Sequence, residues 1–173
     1  TNEQQQIRDT FARFCDGRIA PQAEALDEAK AFPRALFKEL ADLGFFGMRY
    51  PEAVGGSGLD VVTYCLVVEE LARGSLSVAV ACTMQSLMGT YFLYRSGDAG
   101  IRDEFLKPAL AGERVGAICF TEPGAGSDLS AIATRARRDG KEWVISGQKT
   151  WISSAPVADF FTVFAKAGEE KKL

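Results

Sequence analysis

Thr121, Glu122, Ser127 and Asp128 crowd a short loop that also holds Pro123, Gly124 and Gly126. Glycines without a Cβ let a ligand approach the backbone closely and meet successive N–H groups, which suits a phosphate. Ser127 adds a hydroxyl donor. Thr121 both donates and accepts, which suits a ring edge that presents both functions. Trp151 offers a flat apolar face for an aromatic ring, and Ser153 places another hydroxyl two residues on. The plainer alternative is an ordinary surface turn with Trp151 in the core. The loop is neither G-x-x-x-x-G-K-[ST] nor G-x-G-x-x-G.

Other chemistries have little to work with. The chain has no His, and Cys15, Cys65, Cys82 and Cys119 are widely separated. No zinc-ligand spacing exists, so no metal is expected, and Ser-His or Cys-His nucleophiles are excluded from these residues. The cysteines stand in apolar contexts and are expected to be buried free thiols in a reducing compartment. A net charge of −3 without a basic stripe argues against nucleic acid. No run approaches the ~20 apolar residues of a membrane span. No charged-apolar-small leader opens the sequence.

The elements that must position the loop read in two blocks. The 173 residues are 47% hydrophobic and 25% charged, enough for one large domain or two small ones. Ile7, Phe11, Phe14 and Ile19 recur at near-helical spacing over residues 2–19. Pro33 precedes a second helix carrying Leu36, Phe37, Leu40 and Leu43, which Gly44 stops. Phe45–Asp60 reads as a loop in which Gly55-Gly56-Ser57-Gly58 is a tight connection. Asp60 caps a helix over Val61–Arg73, apolar on most sides and therefore expected to be buried. Ser75 opens a long helix to about Arg95. Asp98 caps a short helix with Ile101, Phe105 and Leu106, and residues 108–114 complete the helical block.

From Val115 the period changes to two. Val115–Phe120, Ile132–Arg138, Glu142–Ile152 and Phe160–Lys166 read as strands. Asp139-Gly140 between alternating runs predicts a hairpin, its second arm running on to Trp151-Ile152-Ser153. The loop at Thr121–Asp128 then lies at the end of the first strand. Gly168–Lys172 reads as a charged turn. The predicted fold is α+β: an all-α helical domain over residues 1–113, then an antiparallel β domain over residues 114–173.

Three motifs in this order resemble the acyl-CoA dehydrogenase family. Thr121–Asp128 matches its TEPGAGSD run. Gly147-Gln148-Lys149 with Trp151-Ile152-Ser153 matches G-x-K-x-W-I-[ST]. Tyr50–Gly56 resembles its P-E-x-x-G-G element. Phe120 stands where a smaller apolar residue is more usual, and Ser153 where Thr is common.

The resemblance covers essentially the whole chain and implies an incomplete fold, the helical domain plus the opening of a middle β domain. It implies FAD, held non-covalently, with Ile118, Phe120, Thr121, Gly126, Ser127, Trp151, Ile152 and Ser153 on the cofactor side. Thr121 would face the pyrimidine side of the flavin, Ser153 its N5, and Trp151 the ring system. Gly126 and Ser127 would approach the pyrophosphate, with Ser127 also near the CoA.

The implied reaction is α,β-dehydrogenation of an acyl-CoA, in which a carboxylate removes the α proton and the β hydride moves to the flavin. The family's base comes from a C-terminal region, so no catalytic residue is expected in these residues, and Glu122 reads as loop structure. Met84 and Met88 read first as core, and by resemblance as lining for the acyl group. Across Ser75–Tyr94 there is no Arg or Lys. This favours a monocarboxylic acyl group with an uncharged tail over a dicarboxylic one, since a buried carboxylate needs a cation. Family partners would be an electron-transfer flavoprotein and further copies of the chain in a homotetramer, in a bacterial cytoplasm or mitochondrial matrix. The alternatives are an oxidase or flavin monooxygenase on the same fold, or a non-enzymatic helical interaction module.

Overall fold

A computed structural model describes residues 1–168. Helix α1 (Asn2–Phe14) continues through a π-helical turn, Cys15–Ile19, towards α2 (Ala23–Glu28). Helix α3 (Arg34–Asp42) starts one residue after Pro33 and stops at Gly44, whose φ of 81° only glycine adopts cheaply. Asp60 caps α4 (Val61–Gly74) by accepting from the amides of Val62 and Thr63 at 2.8 and 3.0 Å. These hydrogen bonds, with the Thr63 hydroxyl first among them, hold the Asp60 carboxyl down at about 2. Ser75 caps α5 (Leu76–Thr83), which runs through a π-helical segment, Met84–Gly89, into α6 (Tyr91–Arg95). Asp98 caps α7 (Ala99–Ile101), and α8 (Lys107–Leu110) ends the block.

The helices close on one core. Phe37, Phe45, Phe46, Leu40 and Leu71 are fully buried in it, and the rings of Phe37 and Phe46 sit 4.4 Å apart. Each such side chain contributes roughly 1.5–3 kcal/mol of burial. The Phe45–Asp60 connection feeds this core, burying Met48, Tyr50 and Val54. Gly56 is obligatory there, because a Cβ would lie 2.0 Å from the Tyr50 carbonyl oxygen. The glycine run is thus the tight connection expected.

Three details of the helical block differ from expectation. Helix α4 is not buried all round: Thr63, Tyr64, Val67 and Leu71 face the core, while Val61 and Val62 are exposed. Cys65 is exposed on the same outer side, whereas the other three cysteines are buried. An apolar composition cannot say which face of a helix has a neighbour. The run Leu76–Arg95 is 20 residues long and, by length and composition alone, apolar enough to cross a bilayer. In the fold one side of it packs inward, with Val78, Ala79 and Cys82 in the core and Gln85, Ser86 and Thr90 buried on polar partners.

The strands are shorter than predicted. They are β1 (Gly116–Cys119), β2 (Arg135–Asp139), β3 (Glu142–Ser146), β4 (Phe160–Val163) and β5 (Lys166–Ala167). The Asp139-Gly140 hairpin forms as expected, with β2 and β3 antiparallel. Among the strands of the described residues the antiparallel expectation holds for that hairpin, whereas β1 pairs with β4, and β2 with β5, in parallel. The long excursion from Cys119 to Phe160 lets both strands enter from the same end, as a parallel pair requires. Alternation predicts strands but not their direction. The charged turn expected at Gly168–Lys172 lies, from Glu169 on, outside the described residues.

Buried Gln85 joins the two blocks. Its amide nitrogen donates to the carbonyls of Ala109 and Arg114 at 3.0 and 2.9 Å, and its oxygen accepts from the Gly116 amide at 2.8 Å. Gly89 brings the helix against the Gly116 backbone, and Gly116 leaves room for the Phe160 ring. Asp159 closes the other side by accepting from the Val115 amide at 2.7 Å. The start of β1 is therefore fixed by side chains from both directions.

Candidate functional site

Strand β1 delivers the loop. Ile118 and Cys119 are buried, Phe120 and Thr121 half-buried, and Gly124, Gly126 and Ser127 exposed. A Cβ placed on Gly124 or Gly126 would meet nothing within 4 Å, so this side of the loop faces open space. The loop closes on itself through reciprocal backbone bonds between Glu122 and Ala125, 2.9 and 3.1 Å. Asp128 ends it by accepting from the amide and hydroxyl of Ser130.

Glu122 sits under the loop. Its side chain is 5% exposed and its oxygens accept from the amides of Ala133 and Thr134 at 2.6 and 3.0 Å and from Lys149 Nζ at 2.8 Å. The Lys149 ammonium first, and then these donors, hold the carboxyl at about 2. Such a group is too weak a base to take a proton near neutral pH. Its geometry is that of a structural carboxylate, as expected.

Lys149 also donates to the Phe120 carbonyl at 3.0 Å, and the Thr150 amide donates to the Thr121 carbonyl at 3.0 Å. The two sequence motifs are therefore stitched side by side. This differs from the predicted long strand. The chain leaves β3 at Gly147, where a Cβ would lie 2.3 Å from Thr134 Oγ1. It then crosses to the loop, held by Lys149 and Thr150, instead of extending the ladder to Ser153.

Trp151 is 87% exposed and adopts a left-handed φ of 57°. It is not a core residue. Its backbone conformation is sparsely populated for a non-glycine residue, and nothing among the described residues covers its ring. Ile152 is half-buried and Ser153 exposed.

Ser153 and Ser154 border an open groove of about 700 Å³, walled by Leu26, Phe32, Leu76, Val80, Ala81 and Val157 among others. Met84 and Met88 are half-buried one turn and two turns further along the helix and do not line this groove. Thr121, Gly126 and Ser127 are likewise outside it. Lys149 and Gln85 were not singled out from sequence. For Lys149 the signal was its place inside the G-x-K-x-W run; for Gln85 it was an amide in an otherwise apolar helix.

The family model for the acyl-CoA dehydrogenase N-terminal domain matches residues 1–113, and that for the middle domain matches residues 117–173. The chain belongs to the acyl-CoA dehydrogenase family. Over all of its 173 residues it is 69% identical to a benzylmalonyl-CoA dehydrogenase of Aromatoleum aromaticum, covering 46% of that protein. It is 38% identical to a 3-(aryl)acrylate reductase of Clostridium sporogenes, with 99% of the chain and 45% of the relative covered. A crystal structure of a glutaryl-CoA dehydrogenase from Mycobacterium smegmatis in complex with FADH2 superposes with a TM-score of 0.92 at 33% identity, over 96% of this chain and 43% of that one. The chain thus spans less than half the length of these relatives. Family membership, with an FADH2 complex among its structures, indicates a flavin.

Proposed function

We propose that this chain forms part of an FAD-dependent acyl-CoA dehydrogenase acting on a thioester with an aryl-bearing acyl group. The observation that carries the cofactor is the pairing of an open glycine loop with an outward, left-handed Trp151 across the Lys149 and Thr150 stitch. These residues fit a flavin dinucleotide. The Gly126–Ser127 backbone and the Ser127 hydroxyl are free for a pyrophosphate, and Ser127 also for the CoA. Thr121 and Trp151 are free for the ring system, while Ile118 and Phe120 support the strand beneath and Ile152 the adjoining run. FAD, when bound, supplies the hydride acceptor. Ser153 offers its hydroxyl at the N5 side and at the mouth of the apolar groove. The base is assigned to none of these residues. We divide the chain at residues 113 and 114, into a helical domain and the opening of the flavin-binding β domain; the end of α8 at Leu110 and the start of β1 at Gly116 support this.

The aryl assignment rests on the names of the two relatives together with the groove walled by Phe32, Leu76 and Val80. Met84 and Met88 lie outside this groove and do not enter the aryl assignment. A benzyl tail is neutral, which agrees with a helix lacking Arg and Lys over Ser75–Tyr94. A malonyl unit carries a second carboxylate, however, so the monocarboxylic expectation is not carried forward. Family relationship supports an electron-transfer flavoprotein as acceptor and a homotetrameric assembly. A bacterial relative supports the cytoplasm.

The test is to purify the full-length protein, record flavin absorbance with and without added FAD, and assay benzylmalonyl-CoA, glutaryl-CoA and a straight-chain acyl-CoA of similar length. Bound FAD and the highest kcat/KM on the benzyl thioester are expected. No flavin after adding FAD would overturn the cofactor reading. A preference for glutaryl-CoA or the straight chain would overturn the aryl reading.

A further inference from the structure

We infer that Lys149, through its pair with Glu122, is a positioning residue that sets the spacing between the two halves of the flavin-facing surface. The inference rests on the FAD reading above.

Three consecutive residues on one side, Phe120, Thr121 and Glu122, are bound by two consecutive residues on the other. Lys149 Nζ reaches the Phe120 carbonyl at 3.0 Å and the Glu122 carboxylate at 2.8 Å, and the Thr150 amide reaches the Thr121 carbonyl at 3.0 Å. Thr121 is thereby held between two points tied to a single ammonium group. Trp151 follows Thr150 directly, so its outward φ of 57° is set immediately beyond the stitch. The ammonium cannot move freely: the Lys149 and Glu122 side chains are only 11% and 5% exposed. Glu122 in turn is anchored to the Ala133 and Thr134 amides, at the point where the chain enters β2.

The charges also cancel locally. With its countercharge in place, Lys149 brings no net charge to the surface, so its contribution is geometric. Removing the ammonium leaves a buried carboxylate without its cation and frees the Phe120 carbonyl, so the loop and the Trp151 run should separate. Replacing Glu122 by its amide removes the countercharge and keeps one accepting oxygen for the two backbone donors, which in the carboxylate use one oxygen each.

The experiment uses the full-length protein with Lys149→Met, Lys149→Arg, Glu122→Gln and the Lys149→Met/Glu122→Gln double variant. The readouts are the FAD dissociation constant, the visible absorption band of bound flavin at saturating FAD, and the thermal midpoint of the apoprotein. Lys149→Met is expected to weaken FAD by about tenfold or more, the scale known for residues that orient the ligands of metal sites, and to shift the visible band. Lys149→Arg should recover much of both. Glu122→Gln should cause a smaller change of the same kind, and the double variant should be no worse than Lys149→Met, since one pair is lost in each. If the variants lower only the apoprotein midpoint and keep the unsubstituted affinity and band, the inference is wrong while the FAD reading stands. Should Lys149→Met not fold, Glu122→Gln decides: unchanged affinity and band overturn the inference. An unsubstituted protein that binds no FAD overturns the FAD reading itself and the inference with it.

Discussion

The helical block and the β block are stabilised by different means. Residues up to Leu110 contain nearly all of the contiguous core, with whole side chains such as Phe45, Phe46 and Leu71 removed from water. Among the described residues the β block buries few apolar side chains beyond Val115, Ala117, Ile118, Cys119, Ala125, Ile132 and Phe160, and it leaves Trp143, Ile145 and Trp151 exposed. Its geometry instead depends on a few directional contacts: Gln85 and Asp159 at the start of β1, and Glu122 with Lys149 under the loop. Apolar packing is non-directional, whereas a hydrogen bond requires its partner at roughly 2.7–3.2 Å and near-linear. Within this chain, which spans less than half of its relatives' length and carries only the first part of the middle domain, the residues that present the candidate site are placed by a few directional anchors more than by a core of their own.

This contrast can be broken most forcefully at the joint. Gln85→Met should leave the Ala109 and Arg114 carbonyls and the Gly116 amide without their buried partner, costing about 3 kcal/mol or more. Denaturant unfolding would measure it. A loss below about 1 kcal/mol would mean that apolar contact, not the amide, holds β1 in place.

Gly116→Ala comes next. Its Cβ would fall 2.4 Å from the Phe160 ring, and forcing the ring aside should cost roughly 1–3 kcal/mol. Tm is the readout.

Trp151→Ala separates site from stability. An exposed side chain should leave the unfolding free energy within about 0.5 kcal/mol, while FAD affinity falls by roughly 1–3 kcal/mol, the scale of base–aromatic stacking. Equal FAD affinity in the folded variant would remove Trp151 from the site.

Ser153→Ala should act on rate: loss of one neutral hydrogen bond, roughly 0.5–1.5 kcal/mol, should slow reduction of bound flavin more than it raises KM. Stopped-flow reduction by the acyl thioester would test this.

The last prediction is protonic, and it compares the two blocks directly. Glu122 and Asp60 both have folded-state pKa values lowered to about 2 from ordinary values of 4.5 and 3.8. Each therefore contributes stability that is complete above its ordinary value and is lost as pH falls towards about 2. Urea unfolding of Glu122→Gln and Asp60→Asn should show a gap from the unsubstituted protein that narrows from pH 5 to pH 3. A constant gap would mean that these carboxylates act by shape and not by charge.

Much of the site was legible because it is local. Glycine spacing, the Asp139-Gly140 turn, the caps at Asp60, Ser75 and Asp98, and the stop at Gly44 depend on a few neighbouring residues, so sequence alone placed the elements, their order and the exposed loop. The family motifs added the cofactor class. Three kinds of fact needed the tertiary structure. Strand direction depends on where a connection of some forty residues re-enters the sheet, which the period-two pattern cannot encode. Which side of α4 is exposed, and with it Cys65, depends on whether another element covers it. The early end of β3 depends on Lys149 reaching the Phe120 carbonyl and Glu122, side chain to loop across 27 residues or more. Local sequence fixes what each segment can form; only the partners that folding brings from a distance decide which faces are covered and where each side chain ends.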